Sequence, residues 1–425
     1  MFNFFLPLKF PLLYGVLASA TGLAVPVPSA LAQTAGQPSS LRQAVDAAWQ
    51  LSSQSRAADS RRSELAARDK AAASWMAGEP VATIAHRTDR LTKNEGFRDY
   101  EAEVEMPLWN PGVRRVAQAD LAAQRLGFEG QFALGKLKLA GELRALVASV
   151  AIAQVELDLN RRKLADSDAL AQDLGRRVKA GENARVDGLQ AQVLVQQAKI
   201  ALAQADSQWV RLQAQWRNMT GLAGVPPLGE TLTGLAMNEA ATAPIPPVSP
   251  EHPAVRFARA QVSSAQAKLA LANADKRDPM ALAVGVVRER SNFAAPVETT
   301  LRIALRIPLG GDNRNAPRLA AARAELDAAQ AEADAVERQL PTELAAASAD
   351  LRAARAAEAA ARERMRLSTE VQTLFTKSWR LGDSDLPTRL RADNEQFEAS
   401  LSLARATVDV QRAIANLNQA HGLLP

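Results

Sequence analysis

The sequence predicts a mainly α chain with a β-barrel portion, built from a duplicated unit of helix, β-hairpin, long helix and second helix. Three observations carry that prediction. The chain is written twice: Pro107-Leu108, Gly181, Leu189, Ala191, Leu202-Ala203 and Gly221-Leu222 recur as Pro308-Leu309, Gly382, Leu390, Ala392, Leu403-Ala404 and Gly422-Leu423, each pair 201 residues apart (308 − 107, 382 − 181, 422 − 221). An offset that stays constant over such a span marks two copies of one supersecondary unit. Each copy also contains a helical stretch of about 65 residues, roughly 100 Å at 1.5 Å per residue, longer than a compact domain is wide. Finally, each copy holds two strand-like runs, and the second of each pair alternates strictly between apolar and polar residues.

The elements follow in order. Lys9 precedes an apolar stretch from Phe10 to Ala24, Pro26 and Pro28 interrupt it, and Ala30-Leu31-Ala32 has the small-x-small pattern of a signal peptidase site. Residues 1–32 read as a secretory signal, because the apolar run stops short of the roughly 20 residues a spanning helix needs.

The first repeat spans 33–242. A helix is expected from Leu41 to Ala73, with Leu41, Val45, Ala48, Leu51 and Leu65 at helical spacing and Pro80 beyond its end. Strands are expected at 81–90 and 100–109 around the polar turn 91–98. In the second strand Tyr100, Ala102, Val104, Met106 and Leu108 fall on one side, and Glu101, Glu103 and Glu105 on the other. Past Pro111-Gly112 a helix runs toward Gly181, turns at Gly181-Glu182-Asn183, and returns from Arg185 to near Gly221.

A proline-rich linker at 243–253 separates the copies, and the second repeat occupies 254–425. It repeats the plan: a helix at 254–274, strands at 280–290 and 297–307, a long helix to Trp379, a turn at 382–385, and a helix from Pro387 to about Asn418. Along its second strand Leu301, Ile303 and Leu305 face one way, and Arg302 and Arg306 the other.

Strands of about ten residues match the length that crosses a bilayer at a tilt, and apolar-out, charged-in alternation is the pattern of a membrane barrel. Four strands cannot close a barrel and would leave open edges in lipid, so self-association is required. Val104, Met106, Leu301, Ile303 and Leu305 are accordingly the expected lipid-facing set. Glu101, Glu103, Glu105, Arg302 and Arg306 are the expected lumen set. The alternative, in which each hairpin packs on a soluble sheet, is disfavoured because two isolated hairpins would have no sheet to join.

Composition excludes several classes. The chain has no cysteine, so it offers no disulfide, thiolate ligand or lipid-modified cysteine. Its net charge of +5 comes from Arg and Lys that alternate with Asp and Glu along helix faces, which argues against a nucleic-acid partner. The three histidines, His86, His252 and His421, lie far apart without ligand spacing, and no phosphate loop is present. No catalytic residue, metal site or cofactor is expected, and the chain does not read as an enzyme.

The duplicated plan, the stretch Met106-Pro107-Leu108-Trp109-Asn110-Pro111-Gly112 with its partner Ile307-Pro308-Leu309-Gly310-Gly311, and the turns Val178-Lys179-Ala180-Gly181 and Trp379-Arg380-Leu381-Gly382 together resemble the TolC outer membrane factor family over essentially the whole mature chain. The resemblance implies a homotrimer with a 12-stranded barrel in outer-membrane lipid and a helical tunnel through the periplasm. It implies docking of the helix tips to a periplasmic adaptor and an inner-membrane RND-type pump. Tip candidates are Gly181, Asp187, Gly382, Asp383 and Asp385. Where the family carries acids six and nine positions after the tip glycine, this chain has Asp187 and Gln190 in one copy and Thr388 and Arg391 in the other, which departs from an acidic gate. The short chain, the missing lipid cysteine and the Pro-Leu-Trp-Asn-Pro-Gly stretch look most like the cobalt-zinc-cadmium and copper-silver branch. The expected function is a passive outer-membrane conduit for heavy-metal cations. A multidrug or type I secretion channel is the rival within transport, and a periplasmic coiled-coil adaptor the rival outside it.

Overall fold

Ser40 opens the folded chain with a reciprocal cap. Its hydroxyl accepts from the Gln43 backbone N–H at 3.2 Å, and the Gln43 side chain accepts from the Ser40 N–H at 3.2 Å, which satisfies donors a helix start otherwise leaves orphaned. The computed structural model describes residues 40–229, 248–310 and 312–425. The expected signal at 1–32, the end of the first repeat at 230–242 and the linker's start at 243–247 lie outside the described residues.

Helix α1 (Leu41–Leu51) buries Leu41, Ala44, Val45 and Ala48. The single helix expected across 41–73 is two. Ser52 takes an extended backbone (φ −66°, ψ 146°), and its hydroxyl accepts from Ser55 N–H at 3.1 Å to cap α2 (Ser53–Ala73). A serine that bonds its own backbone neighbourhood competes with helix continuation, and here it wins.

The strands are β1 (Val81–Thr88), β2 (Arg98–Leu108), β3 (Met280–Arg290) and β4 (Glu298–Arg306). β3 matches its expected bounds. β1 stops two residues early, β2 begins two early and ends one early, and β4 is one residue shorter at each end. The hairpins are not isolated: β2 pairs antiparallel with β3, giving one four-stranded antiparallel sheet in the order β1-β2-β3-β4. Their loops interlock too. Phe293 N–H donates to Glu95 O at 3.0 Å, and Gly96, at φ +97°, lies so close to Phe293 that a Cβ there would sit 2.7 Å from its ring.

Gly112, in the left-handed region at φ +83°, turns the chain from β2 into α3 (Val113–Lys179), a helix of 67 residues. α4 (Arg185–Thr220) returns beside it, α5 (Pro253–Ala274) opens the second copy, and α6 (Asp312–Leu381) and α7 (Leu386–Ala420) form the second long hairpin. α3 packs against α4, α5 and α7, and α6 against α5 and α7, so α4 and α6 are the outer helices of the long bundle. The central core joins Leu41, Val45 and Ala48 of α1 to Leu143, Val147 and Val150 of α3 and to Trp216 of α4. A second cluster joins Leu344 and Leu351 of α6 to Ile414 and Leu417 of α7. The copies are tied at mid-height by Arg144, 2 % exposed, whose Nη2 donates to Leu423 O at 3.0 Å. No helix among the described residues is long and apolar enough to cross a membrane.

Candidate functional site

The pairing register sorts every strand residue onto one of two faces. One face carries Arg87 of β1, Asp99, Glu101, Glu103 and Glu105 of β2, Ala281, Ala283, Gly285 and Glu289 of β3, and Glu298, Arg302 and Arg306 of β4. The other carries Ile84, Tyr100, Val104, Met106, Val286, Leu301, Ile303 and Leu305. The expected lumen residues therefore share one face, and the expected lipid-facing residues share the opposite one. Ile84 is 87 % exposed, Leu301 68 % and Ile303 66 %, a contiguous apolar surface of a kind that soluble monomers rarely leave open. Met106, nearer the helices, is half-buried.

On the charged face the ions pair across strands. Arg302 Nη1 donates to Glu101 Oε1 at 2.6 Å, and Arg306 Nη1 to Glu105 Oε1 at 3.0 Å. The Arg306–Glu105 pair crosses β3 between Ala281 and Ala283, and the Arg302–Glu101 pair between Gly285 and Val287; a Cβ on Gly285 would meet Ala102 O at 2.9 Å and Glu103 Cβ at 3.0 Å. Small residues on the middle strand let long guanidinium arms reach the acids beyond it. Arg87 Nη2 lies 2.6 Å from Asp99, which is 3 % exposed. Asp99 and Arg87 were not among the expected site residues. The signal was present, since Asp99 continues the alternation of Glu101, Glu103 and Glu105 by one step toward the turn.

At the far end of the helices the two tip turns are copies of one motif. Gly181 (φ +81°) and Gly382 (φ +85°) follow the last helical turns; Glu182 N–H donates to Arg177 O at 2.9 Å and Asp383 N–H to Ser378 O at 3.0 Å. This is the six-to-one closure in which a left-handed residue satisfies helix-end carbonyls. Asp187 accepts from Asn183 Nδ2 at 3.3 Å. Asp385 caps α7, accepting from Thr388 N–H at 3.1 Å, and hydrogen bonding by Thr388 lowers its pKa. Asp383 is exposed. No ion pair or hydrogen bond links Asp187, Asp383 and Asp385 to one another among the described residues.

Sequence reasoning missed the centre of this end. Trp379 of α6, 7 % exposed, lies between two guanidiniums: Arg389 of α7 at 4.2 Å from the ring centroid and Arg177 of α3 at 4.7 Å. Leu174, Ala191 and Leu386 complete the cluster, so the ring joins both helical hairpins. Burial pushes the Arg389 pKa below its ordinary value, the neighbouring Arg380 and Arg177 add to that, and Asp393 opposes it. Among the described residues no three His, Asp or Glu side chains converge as a metal-binding group.

The long helices α3 and α6, 67 and 70 residues or about 100 Å each, run from one four-stranded antiparallel sheet, and solved outer-membrane channel structures share this fold. The outer membrane protein VceC from Vibrio cholerae superposes with a TM-score of 0.71 at 14 % identity, covering 90 % of this chain and 96 % of that one. CusC, described in terms of transmembrane channel formation, gives 0.70 at 14 % identity, covering 96 % and 99 %. The outer-membrane channel OprN gives 0.70 at 18 % identity, covering 90 % and 89 %. No protein-family model and no curated protein sequence matches the chain.

Proposed function

We propose that the chain is the outer-membrane channel of a tripartite efflux assembly, a homotrimeric member of the TolC type whose four-stranded sheets close into a 12-stranded barrel. The observation that carries this reading is the two-faced sheet: an apolar face open to its surroundings, an ion-paired face behind it, and unpaired edges at β1 and β4. An open edge in hydrocarbon is prohibitive, so β4 of one copy must meet β1 of the next. The outer helices support the same assembly. Val186, Val193 and Ile200 on α4, and Leu367, Leu374 and Leu381 on α6, are exposed at seven-residue steps, the spacing of a helix seam awaiting a partner.

The ion-paired face is then the lumen wall, with Glu101, Glu103, Glu105, Arg302 and Arg306 on it, and Val104, Met106, Leu301, Ile303 and Leu305 meet lipid. The tip turns around Gly181, Asp187, Gly382, Asp383 and Asp385 are the docking end for a periplasmic adaptor and its RND-type pump. Heavy-metal cations are the favoured cargo. On the wall, Asp99, Glu101, Glu103, Glu105, Glu289 and Glu298 outnumber Arg87, Arg302 and Arg306, and an acidic lining favours cations. The test is growth of a deletion strain, with and without the restored gene, against cobalt, nickel, zinc, cadmium, copper and silver salts alongside dyes and antibiotics. Sensitivity confined to metals supports the proposal, and sensitivity to organic compounds alone transfers the channel to multidrug export.

A further inference from the structure

At the hairpin-loop end the sheet segregates charge by face. The last inward row is Arg87, Asp99, Glu289 and Glu298, each in register with the next. The outward face at that level carries Arg98, Arg288 and Arg290, and no carboxylate shares it: Arg98 is the register partner of both Thr88 and Arg290, while Arg288 stands between Tyr100 and Thr299. None of the three arginines forms an ion pair among the described residues, whereas Arg87, Arg302 and Arg306 on the opposite face all do.

Arg98 and Arg290 pose the sharper problem. They are direct cross-strand neighbours on β2 and β3, where side chains stand about 5 Å apart and like charges destabilise the sheet. Arg290 is also held in place, its Nε donating to Gly96 O at 3.3 Å and its guanidinium 5.5 Å from the centre of the Phe293 ring. Two cations side by side, one of them held by Gly96 and Phe293, with the strand acids of that level on the other face, form a site for an external anion.

We propose that Arg98, Arg288 and Arg290 form a basic girdle that binds the phosphate groups of lipid headgroups in the outer leaflet. The inference rests on the reading of this face as lipid-facing. Continuity along β2 and β3 identifies the occupant: Val104 and Val286 lie on the same face closer to the helices, so a molecule with acyl chains against the apolar band places its headgroup at the arginines. Guanidinium forks match phosphate oxygens in pairs, and one phosphate between Arg98 and Arg290 removes their repulsion. A free phosphate would gain the charge contacts and none of the apolar ones.

The test reconstitutes the full chain into phosphatidylcholine vesicles containing either diphosphoryl lipid A or the same lipid with its phosphates removed. Native mass spectrometry measures the lipid retained after extraction, and protease protection scores insertion separately. Wild type should retain the phosphorylated lipid selectively, and retention should fall steeply with added salt, a measurement that needs no variant. R98Q/R288Q/R290Q should bind roughly a hundredfold more weakly, taking about 1 kcal/mol per basic residue at an anionic surface. E289Q/E298Q, on the inward face, should retain lipid as wild type does. Equal retention of both lipids, a triple variant that binds as wild type does, or inorganic phosphate bound as well as the lipid overturns the girdle. A chain that fails to insert overturns the membrane reading and the girdle with it; one that inserts and ignores the phosphates overturns the girdle alone.

Discussion

Asp99 and Glu105 both pair with an arginine, and burial makes the two pairs unequal. Arg306 and Glu105 keep 72 % and 26 % of their side chains exposed, and solvent screening reduces such a pair to at most about 1 kcal/mol. Asp99 is buried, and removing Arg87 leaves its carboxylate without its cation. R87A is expected to destabilise by about 1–3 kcal/mol, discounted for the exposure of Arg87 itself, and R306A by less. Thermal unfolding of the two variants in detergent checks the order; a larger loss for R306A contradicts it. A second residue-scale effect belongs to His252, which caps α5 through Nδ1, accepting from Ala254 N–H at 3.1 Å. Burial pushes its pKa below the ordinary 6.5. Because the folded value is the lower one, the unfolded chain takes up the proton first as pH falls. The contribution to stability is full above about pH 6.5 and lost as pH drops through the window down to the depressed folded value. Wild type should therefore lose more Tm between about pH 7.5 and pH 5.5 than H252N, whose amide keeps the cap and does not titrate. Equal losses would remove this account. The sequence places a helix at 254–274, just after His252, but burial of the ring depends on Gly422 lying against it, where a Cβ would sit 2.6 Å from the imidazole. That contact joins distant parts of the chain, and no local pattern announces it.

Among the elements, the long helices and strands were legible because their periods are long and regular, and the departures sit at element ends. The Ser52 break was missed because apolar spacing carries across it, while the cap depends on a hydroxyl choosing Ser55 N–H. β2 and β3 each alternate visibly, yet their mutual register, which places Arg302 over Gly285 and beside Glu103, follows only once the hairpins meet. At the tips, Trp379 is marked in the sequence only as the end of the long helix and the start of the second tip turn. Its two cationic neighbours come from α3 and α7, and only the packing of α3 against α7 brings them together. W379A should cost about 3–5 kcal/mol at this end, the range for large-to-small changes in packed cores, and hydrogen exchange should rise in residues 170–191 and 372–393. Protection lost evenly along the helices would contradict a local clamp.

For the whole molecule, the proposed lipid contact and the proposed self-association both rest on the apolar face of the sheet. Placing two carboxylates at its exposed β4 positions, as in L301D/I303D, adds up to about 2 kcal/mol of burial cost each if that face meets hydrocarbon, and heat-stable oligomers should vanish from the outer-membrane fraction. Unchanged oligomers would remove the lipid-facing assignment. The architecture was legible in the duplication itself, whereas the cargo of the proposed channel was not, since a conduit of that kind would need an electrostatic character more than a fitted pocket. The ion pairs across β3 bear on the duplication in another way. Glu101 with Arg302, and Glu105 with Arg306, stand 201 positions apart, so each pair joins one ancestral site to its own duplicate. Two identical copies would have set like charge against like across the third strand. The halves of this chain became complementary by diverging, and a protein spliced from the first half used twice would inherit the repulsion that their divergence removed.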